Sequence, residues 1–549
     1  MRDYRTACAD FSVEALAADV LNGSLDRNIN ACVECCDRWA DSDRVALSWM
    51  SEAQDRQEAV TYRSLREQSA QFAHVLRHHG IQPGDVVAGM LPRIPALLVA
   101  ILGTWRIGAV YQPLFTAFGP AAIESRVTAD GGSGAKLVIV DAANRTKLDN
   151  VPDCPPVLVV ANGQAMRPGD ADFAAELDRQ SADFEPVPRQ GSDPFILIFT
   201  SGTTGKPKGV ACPLSALLQF AVYVRDALDV RDEDVLWCFA DPGWALGMYA
   251  TITGPLLLGK RTVLFEGPFS VASTVRVITD LGVTNLMTAP TVYRMLRAAD
   301  PAIIAPLWGK FRVLSGGGDP LNAELNRWSE EALGAPIHEH YGQTEMGVNV
   351  CNHHGLGHPA KVGSIGLPSP GFQMAILDED LRPVEPGRAG VLAVNRKASP
   401  LFFFDGYWQA DTPGFRGDWY LTGDTMHQDE DGYFSFVSRN DDLITSAGYR
   451  IGPADVEGII IEHPAVAEVA VIGKPDPERT EVVMAFAVLR AGVAGSAELA
   501  DELQHLVRHR LSAHAYPRVI RFVPSLPKTP GGKIQRFMLR QIAAREPTT

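Results

Sequence analysis

The chain has 549 residues, and its content of 46% hydrophobic and 21% charged residues is typical of an ordinary globular protein with large cores. Its formal net charge of −15 argues against broad electrostatic binding to nucleic acid or to an anionic membrane, because both require a basic surface. The N-terminus lacks an apolar signal core and the longest apolar run, residues 96–103, is too short to cross a bilayer, so we expect a cytoplasmic protein without a membrane span.

The first sixty residues carry amphipathic patterns but no chemical motif. Residues 10–59 are predicted to be helical, with one helix at residues 28–39. The cysteine cluster at residues 32–36 lacks a second Cys or His pair at zinc spacing, which favours packing of a helix face over a metal site. A capping box at residues 64–67 predicts the start of a helix that ends at Gly80.

Apolar runs of strand and helix length alternate from residue 86 onward, which indicates helices layered on parallel sheets. Residues 150–191 contain Pro and Gly and are expected to run over the surface. Beyond Gly390 the pattern changes to short β runs, and a polar stretch at residues 438–442 predicts a linker. We therefore expect an α/β protein with a large N-terminal domain at residues 1–440, which includes a β-rich subdomain, and a small C-terminal α/β domain at residues 441–549.

A loop rich in Gly, Ser, Thr and Lys, residues 200–209, follows the apolar strand at residues 195–199. Glycines let the backbone approach a ligand, and hydroxyls and lysines supply donors and positive charge, so the loop suits a polyphosphate. It is not a Walker A loop, because the spacing from Gly202 to Lys206 is too short and Pro207 stands where the magnesium-binding Ser or Thr would be.

Taken whole, these ten residues resemble the signature loop of the adenylate-forming enzymes, the superfamily of acyl-CoA synthetases, peptide-synthetase adenylation domains and beetle luciferases. The resemblance implies that the loop closes over the pyrophosphate end of ATP, that Thr200 takes part in catalysis and that the C-terminal domain is mobile. The loop residues implied to bind ATP are Thr200, Ser201, Gly202, Thr203, Thr204, Gly205 and Lys206.

Two further motifs are similar to the family's adenine and metal contacts. Residues 315–320 form a glycine-rich turn after a predicted strand, and open α/β sheets bind ligands at such strand ends. Residues 339–345 match the family's Tyr-Gly-x-Thr-Glu motif, which implies that Tyr341 stacks on adenine and that Glu345 coordinates Mg²⁺. The nucleotide contacts implied by the two motifs are Gly318, Asp319, Pro320, Glu339, His340, Tyr341, Gly342, Gln343 and Thr344.

The remaining motifs resemble the family's ribose, hinge and catalytic-lysine motifs. Asp424 is implied to accept hydrogen bonds from the ribose hydroxyls, and Arg439 to contact the nucleotide. Asp441 is implied to be the hinge of the C-terminal domain, because polar linker residues absorb backbone rotation. Lys533 is implied to bridge the carboxylate of the acid and the α-phosphate of ATP, where it stabilises the charge of the transition state.

The resemblance also implies coenzyme A as a co-substrate. Gly448 would line the pantetheine tunnel, because a side chain there would obstruct a narrow channel. The implied contacts with coenzyme A are Ser446, Ala447, Gly448, Arg450 and Arg508.

Across nearly its whole length the chain is most similar to acetyl-CoA and medium-chain acyl-CoA synthetases. In acetyl-CoA synthetases a tryptophan and a valine narrow the acid pocket, and this chain has Gly342 and Gly317 at those positions. An apolar tail that fills the space gains about 0.8 kcal/mol per buried methylene. We therefore expect the pocket, with Trp244, Ala245 and Leu246 beside the tail, to accept acids longer than acetate.

The sequence thus predicts ATP-dependent ligation of a short- to medium-chain carboxylic acid to coenzyme A through an acyl-adenylate, with Mg²⁺ bound to ATP and with release of AMP and pyrophosphate. Two alternatives stay open, an acetyl- or propionyl-CoA synthetase and an enzyme that loads a carrier protein, although no carrier domain is appended. A non-catalytic nucleotide sensor would be expected to lack Lys533 or Glu345, and both are present.

Overall fold

A computed structural model describes residues 2–53, 55–164, 166–200, 207–318, 321, 323–439, 442, 444–446, 449–476, 479–511, 515–528 and 534–544. For residues 439, 445, 449, 450 and 480 it describes the backbone alone. Within these ranges no helix is both long and apolar enough to cross a membrane.

Helices and strands alternate along most of the chain, as the apolar runs predict. The helices are α1 (Tyr4–Ala9), α2 (Val13–Val20), α3 (Ala31–Cys35), α4 (Tyr62–His78), α5 (Pro95–Arg106), α6 (Pro120–Val127), α7 (Phe173–Asp178), α8 (Ala216–Val222), α9 (Gly254–Leu257), α10 (Val271–Leu281), α11 (Pro290–Ala298), α12 (Pro301–Ile304), α13 (Ala323–Leu333), α14 (Pro453–Ile460), α15 (Ala497–Arg510) and α16 (Arg536–Ala544). Segments of π-helix follow α8 at Tyr223–Ala227 and precede α9 at Gly247–Thr253.

The strands are β1 (Arg2–Asp3), β2 (Val45–Ser51), β3 (Arg56–Thr61), β4 (Val86–Met90), β5 (Val110–Pro113), β6 (Leu137–Asp141), β7 (Val157–Val160), β8 (Ala171–Asp172), β9 (Pro194–Thr200), β10 (Lys208–Pro213), β11 (Leu236–Cys238), β12 (Thr262–Glu266), β13 (Asn285–Thr288), β14 (Val313–Gly317), β15 (Ile337–Gln343), β16 (Gly347–Cys351), β17 (Leu356–Gly357), β18 (Leu367–Pro368), β19 (Met374–Leu377), β20 (Gly390–Asn395), β21 (Phe415–Arg416), β22 (Trp419–Gln428), β23 (Phe434–Arg439), β24 (Ile444–Ser446), β25 (Tyr449–Ile451), β26 (Val466–Asp476), β27 (Thr480–Leu489) and β28 (Val519–Phe522).

Two large sheets form most of the N-terminal part. The first sheet has the strand order β10-β9-β5-β4-β6-β7-β8 and is parallel except for β10, which pairs with β9 in the antiparallel sense. The second sheet has the order β18-β16-β15-β14-β13-β11-β12-β2-β3, with a parallel centre and antiparallel edges. Strands such as β9 are apolar throughout because helices cover parallel sheets on both faces.

Two smaller sheets complete the fold. The third sheet has the order β19-β20-β22-β21, with β23 added to β22. The fourth sheet has the order β25-β24-β27-β26, with β28 added to β27, and packs with α14, α15 and α16 on cores of its own. The predicted α/β class, with a large N-terminal domain and a smaller C-terminal domain, is confirmed.

Three local predictions differ from the structure. Residues predicted to be helical form β2 and β3, because β2 pairs with β12, a distant strand that local periodicity does not reveal. The helix predicted from a capping box at residues 64–67 begins earlier, and its N-cap is Thr61, whose hydroxyl accepts a hydrogen bond from the Ser64 backbone. The segment expected on the surface contributes β7, β8 and α7, which bury apolar side chains.

Candidate active site

A cavity of about 990 Å³ lies between the N-terminal sheets and the C-terminal domain. The ends of β9 and β10 from the first sheet, β14 to β16 from the second and β22 and β23 from the third bound it on one side. The residues predicted from the sequence that line this cavity are Thr200, Trp244, Ala245, Leu246, Gly317, Gly318, Glu339, His340, Tyr341, Gly342, Gln343, Thr344, Glu345 and Asp424.

The carboxylate of Asp424 is buried at this cavity and held by two side chains of β15. The phenol of Tyr341 donates to Asp424 Oδ2 at 2.5 Å, and the amide of Gln343 donates to the same oxygen at 2.7 Å and to the Thr422 carbonyl at 2.9 Å. Burial, and next the Asp424 carboxylate, raise the pKa of Tyr341 far above its usual value, so the phenol keeps its proton. The two donors therefore fix the position of the Asp424 carboxylate at the cavity.

Glu345, the predicted metal ligand, lies just beyond the end of β15 with 8% of the residue exposed. Tyr407, in the loop between β20 and β21, donates its phenol proton to Glu345 Oε1 at 2.7 Å and also lines the cavity. The sequence analysis did not identify Tyr407. The dense aromatic residues at positions 402–408 were the available signal that this loop packs against another part of the protein.

Glu339 and His340 are buried in β15 beside the cavity. Burial raises the pKa of Glu339 to about 8, although the Leu321 amide donates to its Oε1 at 3.4 Å. Burial lowers the pKa of His340 to about 3, and its Nδ1 lies 3.1 Å from the Tyr223 phenol oxygen. His340 is therefore neutral at pH 7 and contributes no positive charge to the site.

The two strands that flank the predicted phosphate loop, β9 and β10, are antiparallel neighbours. Thr200 at the end of β9 pairs with Lys208 at the start of β10, and the Thr200 hydroxyl donates to the Lys208 carbonyl at 3.3 Å. Both residues line the cavity, so the two ends of the loop are placed at its edge.

Several predicted residues are not placed by the structure. Those outside the described residues are Ser201, Gly202, Thr203, Thr204, Gly205, Lys206, Asp319, Pro320, Asp441, Ala447, Gly448 and Lys533, and the side chains of Arg439 and Arg450. Ser446 is buried in β24 and Arg508 is exposed on α15. Neither of these two described residues lines the cavity.

The C-terminal domain supplies a charged wall of the cavity that the sequence analysis did not identify. Arg536 Nη2 lies 2.8 Å from both carboxylate oxygens of Glu457, and Arg536 also pairs with Asp442 at 3.6 Å. Lys528 pairs with Glu468 at 2.6 Å. Because Asp442 is tied in this way to α16, the start of the C-terminal domain is fixed to the rest of that domain.

The space beside Gly317 and Gly342, the two glycines predicted to open the acid pocket, is more filled than the sequence implies. A Cβ on Gly317 would lie 2.9 Å from the terminal methyl carbon of Met287, which occupies the adjacent space and lines the cavity. A Cβ on Gly342 would lie 2.2 Å from the Gly347 carbonyl oxygen, because a register shift at this point brings β16 close to β15. Room for an apolar tail therefore lies along Trp244, Leu246 and Val348.

No group of three His, Cys, Asp or Glu side chains in the described ranges forms a metal site. Cys32, Cys35 and Cys36 are buried and pack in the largest core, in agreement with the packing predicted for them.

Comparisons with known proteins match most of the chain to one enzyme family. The sequence profile of the family "AMP-binding enzyme" matches residues 36–408, and that of "AMP-binding enzyme C-terminal domain" matches residues 455–533. The acetyl-coenzyme A synthetase of Bacillus subtilis (strain 168) is 38% identical over 526 residues, which cover 93% of this chain and 90% of that protein.

Solved structures are also similar over almost the whole chain. An acyl-CoA synthetase of Brucella canis superposes with a TM-score of 0.81 at 51% identity and covers 99% of both chains. The anthranilate CoA ligase AuaEII, in complex with anthranoyl-AMP, superposes with a TM-score of 0.85 at 25% identity, covering 94% of this chain and 98% of that one.

The raised pKa of Glu339 leads to a prediction about pH and stability. Because the folded-state pKa, about 8, lies above the usual value of 4.5 for a glutamate, folding favours the protonated acid, and wild-type stability falls as pH rises from 4.5 to 8. Glu339→Gln removes this penalty, so the variant is expected to be more stable than wild type at pH 8 and similar to it near pH 5. Denaturant unfolding of the ligand-free protein at both pH values measures the difference.

The exposed Glu430→Gln is the matched control and should show no pH-dependent difference from wild type. A Glu339→Gln variant whose stability relative to wild type did not change between pH 5 and pH 8 would contradict the raised pKa.

Proposed function

Because the chain belongs to the AMP-binding enzyme family, as its signature loop predicts, we propose that its cavity binds ATP, a short- to medium-chain carboxylic acid and coenzyme A. The protein is an AMP-forming acyl-CoA ligase: it ligates an acid to coenzyme A through an acyl-adenylate and releases AMP and pyrophosphate. The observation that carries the assignment of the site is the convergence of Thr200, Glu345 and Asp424 from three sheets on one cavity.

The nucleotide is proposed to lie along β15, with its ribose at Asp424 and its adenine at Tyr341. A carboxylate with fixed position and charge suits the two ribose hydroxyls, which donate hydrogen bonds to it. The part of the cavity lined by Thr200 and Lys208 suits the phosphates because Lys208 supplies a positive charge there.

Mg²⁺ is proposed to accompany ATP and to bind Glu345. The fit is good, because Mg²⁺ in such sites is held by one or two carboxylates together with substrate phosphates, and the buried Glu345 carboxylate lies at the cavity. When bound, the ion would neutralise part of the phosphate charge. Glu345 would orient the triphosphate through this charge.

The reaction is proposed to proceed in two steps at this site. A carboxylate oxygen of the acid attacks the α-phosphorus of ATP, the bond to the bridging oxygen breaks and pyrophosphate leaves. The sulfur of coenzyme A then attacks the acyl carbon, the thiol proton is lost and AMP leaves. Lys533 is proposed to hold the carboxylate and the α-phosphate together in the first step.

The position of the C-terminal domain supports the proposal that this structure is arranged for the first step. Ile534, the residue after Lys533, lines the cavity, whereas the described residues of the β24–β25 hairpin do not. In the second step the domain is proposed to turn about Asp441 and to bring this hairpin, with Gly448, to the cavity. The reaction consumes ATP and coenzyme A, so we propose that the enzyme acts in the cytoplasm.

The acid is proposed to extend its tail along Trp244, Leu246 and Val348, where apolar surface is available. A second candidate, ligation of acetate or propionate, is favoured by one observation: the methyl group of Met287 fills the space beside Gly317. The names of the acetyl-coenzyme A synthetases that resemble this chain agree with that candidate.

Lys533→Ala is predicted to abolish acyl-adenylate formation while largely sparing thioester formation from supplied acyl-adenylate, because the cation is needed only while the carboxylate and the α-phosphate are held together. Separate assays of the two half-reactions measure this split. Equal loss of both half-reactions would contradict the two-step scheme.

Met287→Ala is predicted to move the preferred acid to a tail longer by about two or three carbons, because it frees volume for apolar burial at about 0.8 kcal/mol per methylene. The measurement is kcat/KM for AMP release, with unbranched acids from acetate to decanoate and with benzoate, for both the variant and the wild type. A wild-type maximum at four or more carbons supports the longer acid, and a maximum at acetate or propionate supports the second candidate.

Met295→Ala is the matched control, since Met295 also lines the cavity but is 43% exposed on α11. It should leave the preferred chain length unchanged. An unchanged preference in Met287→Ala would show that Met287 does not bound the acid.

A further inference from the structure

Tyr407 lies where three sheets meet at the cavity. It belongs to the loop between β20 and β21 of the third sheet, and its phenol donates to Glu345 Oε1, just beyond the second sheet, at 2.7 Å. The Nζ atom of Lys208, at the edge of the first sheet, lies 4.9 Å from the centroid of the Tyr407 ring. One side chain thus contacts an anion through its hydroxyl and a cation through its ring.

The backbone around Tyr407 holds this side chain in place. Val210 of β10 forms a bridge with Tyr407, and the Trp408 amide donates to the Gly209 carbonyl at 2.7 Å. A Cβ on Gly209 would lie only 2.8 Å from the Cβ of Trp408, so the loop and β10 are packed as closely as a glycine permits. The ring is therefore anchored to the strand that carries Lys208.

Lys208 and Glu345 both line the cavity, carry opposite charges and contact Tyr407, yet no ion pair joins these two described residues. A carboxylate and an ammonium group that come close together at a partly buried site attract each other strongly. If they paired, each would lose charge that a bound Mg·ATP needs, the carboxylate for Mg²⁺ and the ammonium for the phosphates.

We propose that Tyr407 is a positioning residue that separates Glu345 from Lys208 and orients the Glu345 carboxylate for the Mg²⁺ and phosphate end of Mg·ATP. This inference rests on the proposed binding of Mg·ATP at this cavity. Tyr407 does not touch the reacting atoms in this scheme. The hydrogen bonds that hold Asp424 come from Tyr341 and Gln343 and not from Tyr407, so we expect the effect of Tyr407 at the metal and phosphate end.

Tyr407→Phe keeps the ring and removes the hydrogen bond to the carboxylate. Isothermal titration calorimetry of the full chain, without acid, gives Kd for Mg·ATP and for AMP without metal. Loss of a hydrogen bond to a charged group is expected to weaken Mg·ATP binding about tenfold and to leave AMP binding unchanged. Unchanged Mg·ATP binding, or equal weakening for both nucleotides, would overturn the inference.

Tyr433→Phe is the matched control. Tyr433 also has a hydrogen-bonded phenol, donated to the Pro359 carbonyl at 2.5 Å, and a lysine over its ring, with Lys361 Nζ at 4.3 Å from the centroid. It does not line the cavity, so this variant is expected to bind both nucleotides as wild type does. Weakening of Mg·ATP binding by Tyr433→Phe to the same extent would overturn the special role of Tyr407.

Glu345→Gln provides the second measurement. If Tyr407 acts through Glu345, Tyr407→Phe adds no further weakening of Mg·ATP binding in the Glu345→Gln background. Additive effects of the two substitutions would overturn the inference. A wild-type protein that bound neither nucleotide would overturn the proposed function together with this inference, whereas the outcomes above overturn the Tyr407 role alone.

Discussion

The hydrogen bonds from Tyr341 and Gln343 to the Asp424 carboxylate join the second and third sheets at the point where both reach the cavity. A buried carboxylate is costly unless donors surround it, so these bonds constrain how the two sheets are placed. The proposed position of the nucleotide depends on this constraint, because β15 carries the aromatic ring and β22 the carboxylate.

The site binds anionic substrates in a protein with a net charge of −15. Among the acidic side chains at the cavity, Asp424 is proposed to bind the ribose and Glu345 to bind Mg²⁺, while burial favours the protonated form of Glu339. The histidines His338 and His340 of β15 add no charge, because burial lowers the pKa of His338 to about 4 and that of His340 to about 3. Among the described residues, the basic side chains at the cavity are Lys208, Arg294, Lys528 and Arg536.

Much of the fold and the site could be predicted because residues that are close together in the sequence determine it. Strand β9 is an apolar run followed by a glycine-rich loop, β14 ends in the first glycines of the next motif, and the motif that ends at Glu345 carries its chemistry within a few residues. Tyr407 could not be predicted in this way, because its role comes from contacts with residues about 60 and 200 positions away. The Met287 side chain, which fills the space beside Gly317, likewise belongs to a different strand, so only the folded structure shows this contact.

The π-helix at Gly247–Thr253 directly follows the wall formed by Trp244, Ala245 and Leu246. A π-helix holds an extra residue relative to an α-helix of the same length, and each residue of an α-helix turns the chain by about 100°. Deleting one residue there would restore α-helical pairing and rotate the wall relative to α9. The shape of the proposed acid pocket is thus coupled to the length of one helix, and an insertion or deletion of a single residue there would change the pocket while leaving the sequence motifs intact.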